Sequence, residues 1–269
     1  MKCKNLHLLL LLVTVISVVT LKAQTPARPW NNKECAVVLT YDDAIDADLD
    51  NVALVLDSLK LKGTFYLIGS SPVVTNRMNE WRKLAARGNE LGNHSLYHPC
   101  DGSLPGRGFV TAETDLSKYT VSRAVKEIRT TNTLLTALDG KTERTFAYPC
   151  GDLQIGNQRF YDELKKDFVA ARGVNAGLQM AKQVNLDNVD CFMINGQSAD
   201  YMIDLVEKAK QSHTLLVFLF HGVGGGHNIN VSLDAHSKLL HYLKANEKTI
   251  WVAPMVNVAR YIKKIQAGN

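Results

Sequence analysis

The chain is 269 residues long, 46% hydrophobic and 21% charged, with a formal charge of +5, which allows one sizeable core and excludes a disordered chain. Lys2, Lys4 and Lys22 fall within the first 23 residues with no acid beside them, so the remainder carries only +2. A charge this small gives no reason to propose nucleic acid or an anionic membrane as the partner.

In chain order, the basic start Met1-Lys2-Cys3-Lys4 leads into an apolar run from Leu8 to Val19, broken only by Thr14 and Ser17. Leu21-Lys22-Ala23-Gln24 follows. That order reads as a secretory signal peptide over 1–23, cut after Ala23. The run is short for a membrane span of about 20 residues, and Cys3 precedes it, where lipid anchoring needs a cysteine after it. The expectation is an exported protein, periplasmic or secreted, with no stable membrane insertion after cleavage and one domain over 24–269.

Hydrophobic spacing then predicts strands at 35–40, 64–68, 90–93, 145–148, 168–171, 191–194, 214–220 and 250–253. Helices are predicted at 49–61, 81–86, 119–138, 160–166, 201–210, 233–243 and 256–265. The alternation argues for a parallel sheet, closed as a (β/α) barrel of seven or eight strands or open as a doubly wound sheet. In either, loops at the C-terminal ends of strands build the active site. Three stretches lie there: Tyr41-Asp42-Asp43, His94-Ser95-Leu96-Tyr97-His98 and Leu219-Phe220-His221.

Two histidines four apart on one helical turn share a face, about 5–6 Å apart at Cβ. With Asp43 they form a His₂-carboxylate set able to hold one divalent metal with positions open for water and substrate. Asp42 is then free to face substrate, and His221 reads as a general acid at a strand end. The glycines after His221 lack the lysine and hydroxyl of a phosphate loop. Cys35, Cys100, Cys150 and Cys191 allow three pairings in an oxidising compartment, and no Cys-x-x-Cys supports a thiolate zinc site.

Thr40-Tyr41-Asp42-Asp43-Ala44 resembles the Thr-Phe-Asp-Asp-Gly motif of the polysaccharide deacetylases, carbohydrate esterase family 4. His94 to His98 resembles that family's second motif, Phe146-Ala147-Tyr148-Pro149-Cys150-Gly151 its third, and Leu219-Phe220-His221 its fifth. The resemblance implies a distorted (β/α) barrel of seven or eight parallel strands. It implies Asp42 as general base, His221 as general acid, and Asp43, His94 and His98 as ligands of one divalent metal, zinc first, with cobalt, nickel and manganese as alternatives. It also implies Leu219 against the acetyl methyl, with Tyr148 and Cys150 lining the substrate site and a backbone N–H near Cys150 holding the oxyanion. The implied partner is an acetylated oligo- or polysaccharide, most simply an N-acetylated amino sugar; an O-acetyl esterase and a glycan-binding pseudoenzyme are the alternatives.

Two departures stand out. Ala44 replaces a glycine, and Ala147 stands where an arginine braces the catalytic aspartate in many members. Arg144 and Arg172 are candidate replacements, and Asp187 and Asp190 are candidates to orient His221. His227, His236 and His241 read as solvated or helix-surface histidines.

Overall fold

The computed structural model describes residues 28–268; the expected signal peptide over 1–23 lies outside them. The strands of the main sheet are β1 (Cys35–Asp42), β2 (Thr64–Leu67), β3 (Glu90–Asn93), β4 (Phe146–Ala147), β5 (Ala171–Arg172), β6 (Phe192–Met193), β7 (Leu215–Phe220) and β8 (Ile250–Val252). The helices are α1 (Ala53–Leu59), entered through a π-helical turn at Asp48–Val52, α2 (Pro72–Asn76), α3 (Met78–Ala86), α4 (Val121–Asp139), α5 (Ala199–Ser212), α6 (Leu233–Ala245) and α7 (Met255–Gln266). Every pairing among β1 to β8 is parallel, in the order β5-β4-β3-β2-β1-β7-β6. The eighth strand, β8, pairs with the start of β1 on the flank that β2 occupies higher up.

The sheet curls into a distorted β/α barrel rather than staying open. Val189 bridges to Arg172 on β5, and the chain three residues later forms β6 against β7, so residues 186–193 join the two ends. Short strands with a broken ladder replace the predicted four-residue runs at 168–171 and 191–194. The predicted helix at 160–166 is a 3₁₀ turn at Phe160–Glu163. Helix α2, absent from the sequence reading, has Pro72 at its first position and Ser71 capping it through Val73 N–H.

Strand alternation decides what the barrel holds. On β1, Val37, Leu39 and Tyr41 face outward and pack against α1, α5 and α6, while Ala36 and Val38 face inward with Val217, Leu219 and α7 residues Met255, Val258 and Ala259. Asp42 continues the inward set at the top of β1, and His221 continues the inward set Leu215, Val217, Leu219 of β7. Below the mouth lies the Tyr66 ring; a Cβ on Gly92 would meet it at 2.4 Å, so β3 needs glycine there. Helices α4, α5 and α6 start at Thr120, Ser198 and Ser232, whose side chains accept a backbone N–H, and α4 stops at left-handed Gly140.

Candidate active site

Asp42, Asp43, His94, His98, Leu219 and His221 all line one cavity of about 620 Å³ at the C-terminal ends of the strands. Its walls include Tyr148 and Cys150, and exposed Phe109, Val174 and Met193 lie toward its rim.

His94 leaves β3 directly and is 2% exposed; its Nδ1–H donates to the Ala147 carbonyl at 2.9 Å, which leaves the Nε2 lone pair facing the carboxylates. Nε2 lies 3.4 Å from Asp43 Oδ1 and 3.6 Å from Asp42 Oδ2, and His98 Nε2 lies 3.6 Å from the same Asp43 oxygen. The two histidines do not share a helical turn, as the spacing suggested. Ser95 and His98 have φ of +63° and +52°, and the resulting loop brings the ring centroids to 4.7 Å. Ser95 Oγ accepts the His98 N–H, and Asn93 Oδ1 accepts the Ser95 N–H, so the loop is tied to β3.

The Asp43, His94 and His98 donor atoms lie within 4.8 Å of one another. Donors bound at 2.0–2.1 Å around a tetrahedral ion sit about 3.3 Å apart, close to the 3.4 and 3.6 Å found here. Asp43 Oδ1 is buried and makes no hydrogen bond, which suits a carboxylate oxygen that takes an ion. Electrostatics agree. Burial alone would raise the Asp43 carboxyl, but contact with His94 and the charges of His94, His98 and His221 outweigh it and hold it below its ordinary value. Burial likewise lowers His94, yet Asp42 and Asp43 reverse this, marking its Nε2 as a seat for positive charge. Burial, then the charge of His94, pushes His98 down to about 4, so its ring is neutral at neutral pH.

The brace for Asp42 is Arg172, not Arg144. Arg172, from the end of β5, is fully buried, pairs through Nη2 with Asp42 Oδ2 and lies over the Tyr66 ring at 5.1 Å. Burial opposes its charge, but the facing Asp42 carboxylate keeps it protonated. Arg144 is also buried, pairing with Asp139 at the other end of the barrel. Neither is the surface charge that its residue type suggests. Asp187 accepts the Tyr148 hydroxyl on its carbonyl and pairs with Lys165, and His221 Nδ1 has no hydrogen-bond partner among the described residues, so neither Asp187 nor Asp190 orients it. Burial lowers the pKa of His221 against the pull of Asp42 and Asp43.

Cys100 and Cys150 form a disulfide that ties the His98 loop to the Cys150 turn, while Cys35 and Cys191 are buried thiols. The Cys150 turn has φ +55° and is clamped a second time by Arg107, which reaches both Asp152 oxygens at 3.0 Å and the Cys150 carbonyl at 3.3 Å. One histidine departs from the sequence reading, and a second is exposed as expected but turns toward the cavity. His236 is 1% exposed, on α6, with its Nε2 2.9 Å from the outward Tyr41 hydroxyl. His227 is exposed but leans into the cavity, its Nε2 3.8 Å from Asp43 Oδ2. His241 is exposed on α6, as expected.

The model of the polysaccharide deacetylase family matches residues 31–168, just over half of the chain. The chain belongs to the polysaccharide deacetylase family. Among curated proteins, a gellan lyase from a Bacillus species is 26% identical over 170 residues, 63% of this chain, and the uncharacterized Bacillus subtilis protein YlxY is 29% identical over 106 residues, 39% of this chain. These matches span only 6% and 28% of those longer proteins. Among solved structures, a variant of the peptidoglycan deacetylase PdaC from Bacillus subtilis superposes with a TM-score of 0.52 at 18% identity, covering 90% of this chain and 96% of that one. PdaA of the same organism, a family 4 carbohydrate esterase, gives 0.52 at 17% identity over 83% and 80%. An allantoinase gives 0.61 at 11% identity over 93% and 97%. At such identities the likeness concerns the fold, which this polysaccharide deacetylase family member shares with an enzyme named for a different substrate.

Proposed function

We propose that this chain is an exported, metal-dependent hydrolase that removes acetyl groups from N-acetylated amino sugars of a glycan. The observation that carries the reading is the cluster Asp43, His94 and His98 beside a buried Asp42–Arg172 pair, with His221 near the same Asp43 carboxylate. Asp43, His94 and His98 would hold one divalent metal, zinc first, in a His₂-carboxylate set that discriminates little among zinc, cobalt, nickel and manganese. When bound there, a metal would supply polarisation of the acetyl carbonyl and acidification of water.

The chain's own residues do the rest. Asp42, paired with Arg172, takes the proton of the attacking water. The Cys150 turn, pinned by its disulfide and by Arg107, presents backbone amide to the developing oxyanion. Leu219, 1% exposed on β7, packs against the acetyl methyl. His221, at the end of β7, gives a proton to the leaving nitrogen. Export is supported by the basic-apolar-small order of residues 1–23 and by the disulfide. No helix of the described residues is long and apolar enough to cross a membrane.

The test is acetate release from N-acetylated chitooligosaccharides and O-acetylated xylooligosaccharides side by side. The reading expects faster release from the amide; release from the ester alone would make the chain an O-acetyl esterase, and release from neither would remove the enzymatic reading.

A further inference from the structure

The glycine-rich segment after β7 carries a second imidazole to the cavity. His227 stacks on His221 with ring centroids 4.8 Å apart and planes 18° from parallel. The two Nε2 atoms lie 3.8 and 3.9 Å from the same Asp43 oxygen. His94 and His227 are set in opposite tautomers. The Ile229 N–H donates to His227 Nδ1 at 3.0 Å, shorter than the 3.3 Å from that nitrogen to the Ile229 carbonyl. Nδ1 is therefore the acceptor, and the proton of the neutral ring sits on Nε2. His94, by contrast, spends its Nδ1–H on Ala147 and keeps Nε2 bare. One ring is set up to bind a cation; the other shows the cavity an N–H donor that nothing among the described residues accepts within hydrogen-bonding distance.

The loop that places this donor is built for it. A Cβ on Gly222 would meet the Gly225 carbonyl at 2.5 Å, one on Gly226, whose φ is +85°, would meet Ile45 and Ala47 at 3.2 Å, and Asn230 Oδ1 accepts the Gly225 N–H at 2.8 Å. The His227 side chain is 33% exposed against 14% for His221, so it stands further out than the acid. A donor beside the leaving-group acid and toward solvent faces the sugar rather than the acyl carbon.

Resting on the deacetylase reading above, we propose that His227 is a substrate-binding residue whose Nε2–H donates to a hydroxyl or ring oxygen of the sugar that carries the acetyl group. The test compares wild type with His227→Phe, which keeps a ring against His221 but has no donor, and His227→Gln, which keeps a donor. The probes are penta-N-acetylchitopentaose and 4-nitrophenyl acetate, whose leaving group has no sugar oxygens. His227→Phe is expected to lose about 10–100-fold in kcat/KM on the oligosaccharide, at least tenfold more than on the aryl ester. His227→Gln is expected to recover most of the loss, and metal content to be equal in all three proteins. Calorimetric binding of the oligosaccharide is expected to weaken in His227→Phe. Equal binding by wild type and His227→Phe, equal losses on both probes, or loss of metal from His227→Phe would each overturn the proposal. Absence of acetate release by wild type would instead count against the deacetylase reading, with the binding comparison still deciding the role of His227.

Discussion

Both ends of the barrel bury charge, and they treat it in opposite ways. At the N-terminal end, Glu90 on β3 is 3% exposed and has its oxygens filled: Thr145 donates twice to Oε1 at 2.7 Å, while Thr64 and the Val256 N–H donate to Oε2 at 2.9 and 2.8 Å. Nearby Arg144 pairs with Asp139 and donates to the Leu91 and Lys141 carbonyls, leaving only Nε unpartnered. At the mouth, Asp42 Oδ1, Asp43 Oδ1 and His221 Nδ1 are buried without partners. A buried unpaired polar atom costs about 1–3 kcal/mol, so the fold spends stability at one end and recovers it at the other. Backbone strain follows the same division. Asp43, Ala44, Ser95, His98 and Cys150 hold left-handed conformations around the mouth, whereas away from it Lys60 and His213 do so as the caps that end α1 and α5, and Asn31 and Asn32, whose residue type tolerates it, in the turn before β1.

The largest break in this contrast is expected from Arg172→Met. It leaves Asp42 buried without its partner, which should cost about 3–5 kcal/mol of stability and lower turnover as well, read by denaturant melts beside acetate release. Glu90→Gln is the counterpart at the closed end. Its amide group would face the Thr64 and Val256 donors, and a loss of about 2 kcal/mol is expected, with kcat of the folded fraction unchanged. A Glu90→Gln enzyme that folds normally but turns over slowly would erase the distinction between the ends.

Acid should act next. His236, buried on α6 and pushed down to about 3 by desolvation, binds its proton in the unfolded chain near 6.5 and in the folded chain only near 3. Its contribution to stability is therefore present above pH 6.5 and is lost as pH falls toward 3, by up to about 1.4 kcal/mol per pH unit. His236→Gln keeps a partner for Tyr41 but does not titrate, so its stability should fall less steeply over that window. The smallest effect is expected from Ala44→Gly. Ala44 has φ +55° where the family motif has glycine, and the change should raise stability by up to about 1 kcal/mol without lowering activity.

Strand ends and inward alternation made most of this legible in sequence. Asp42, Asp43, His94, His98, Leu219 and His221 each sit where an apolar run stops, and the structure gathers all six around one cavity. The brace for Asp42 was visible only as a choice between Arg144 and Arg172, because distance across a barrel is not written in chain order. Residues at the start and end of neighbouring strands look alike until the strands are paired. The burial of His236 and the turn of exposed His227 toward the cavity are hidden for a related reason: an isolated histidine carries no periodic signal, and only a tyrosine facing outward from β1 or a loop folding back over the mouth gives it a neighbour. The broken strands β5 and β6 lacked the long apolar runs that marked β1 and β7.

The central claim is that Asp42 works on a metal-activated site that Asp43, His94 and His98 hold. Its most direct test measures acetate release and bound metal together for wild type, chelator-treated wild type and Asp42→Asn. Chelation is expected to stop release, added zinc to restore it, and Asp42→Asn to keep its metal while losing about 10³-fold in kcat. Full activity in Asp42→Asn, or an unchanged rate after the metal is removed, would contradict it.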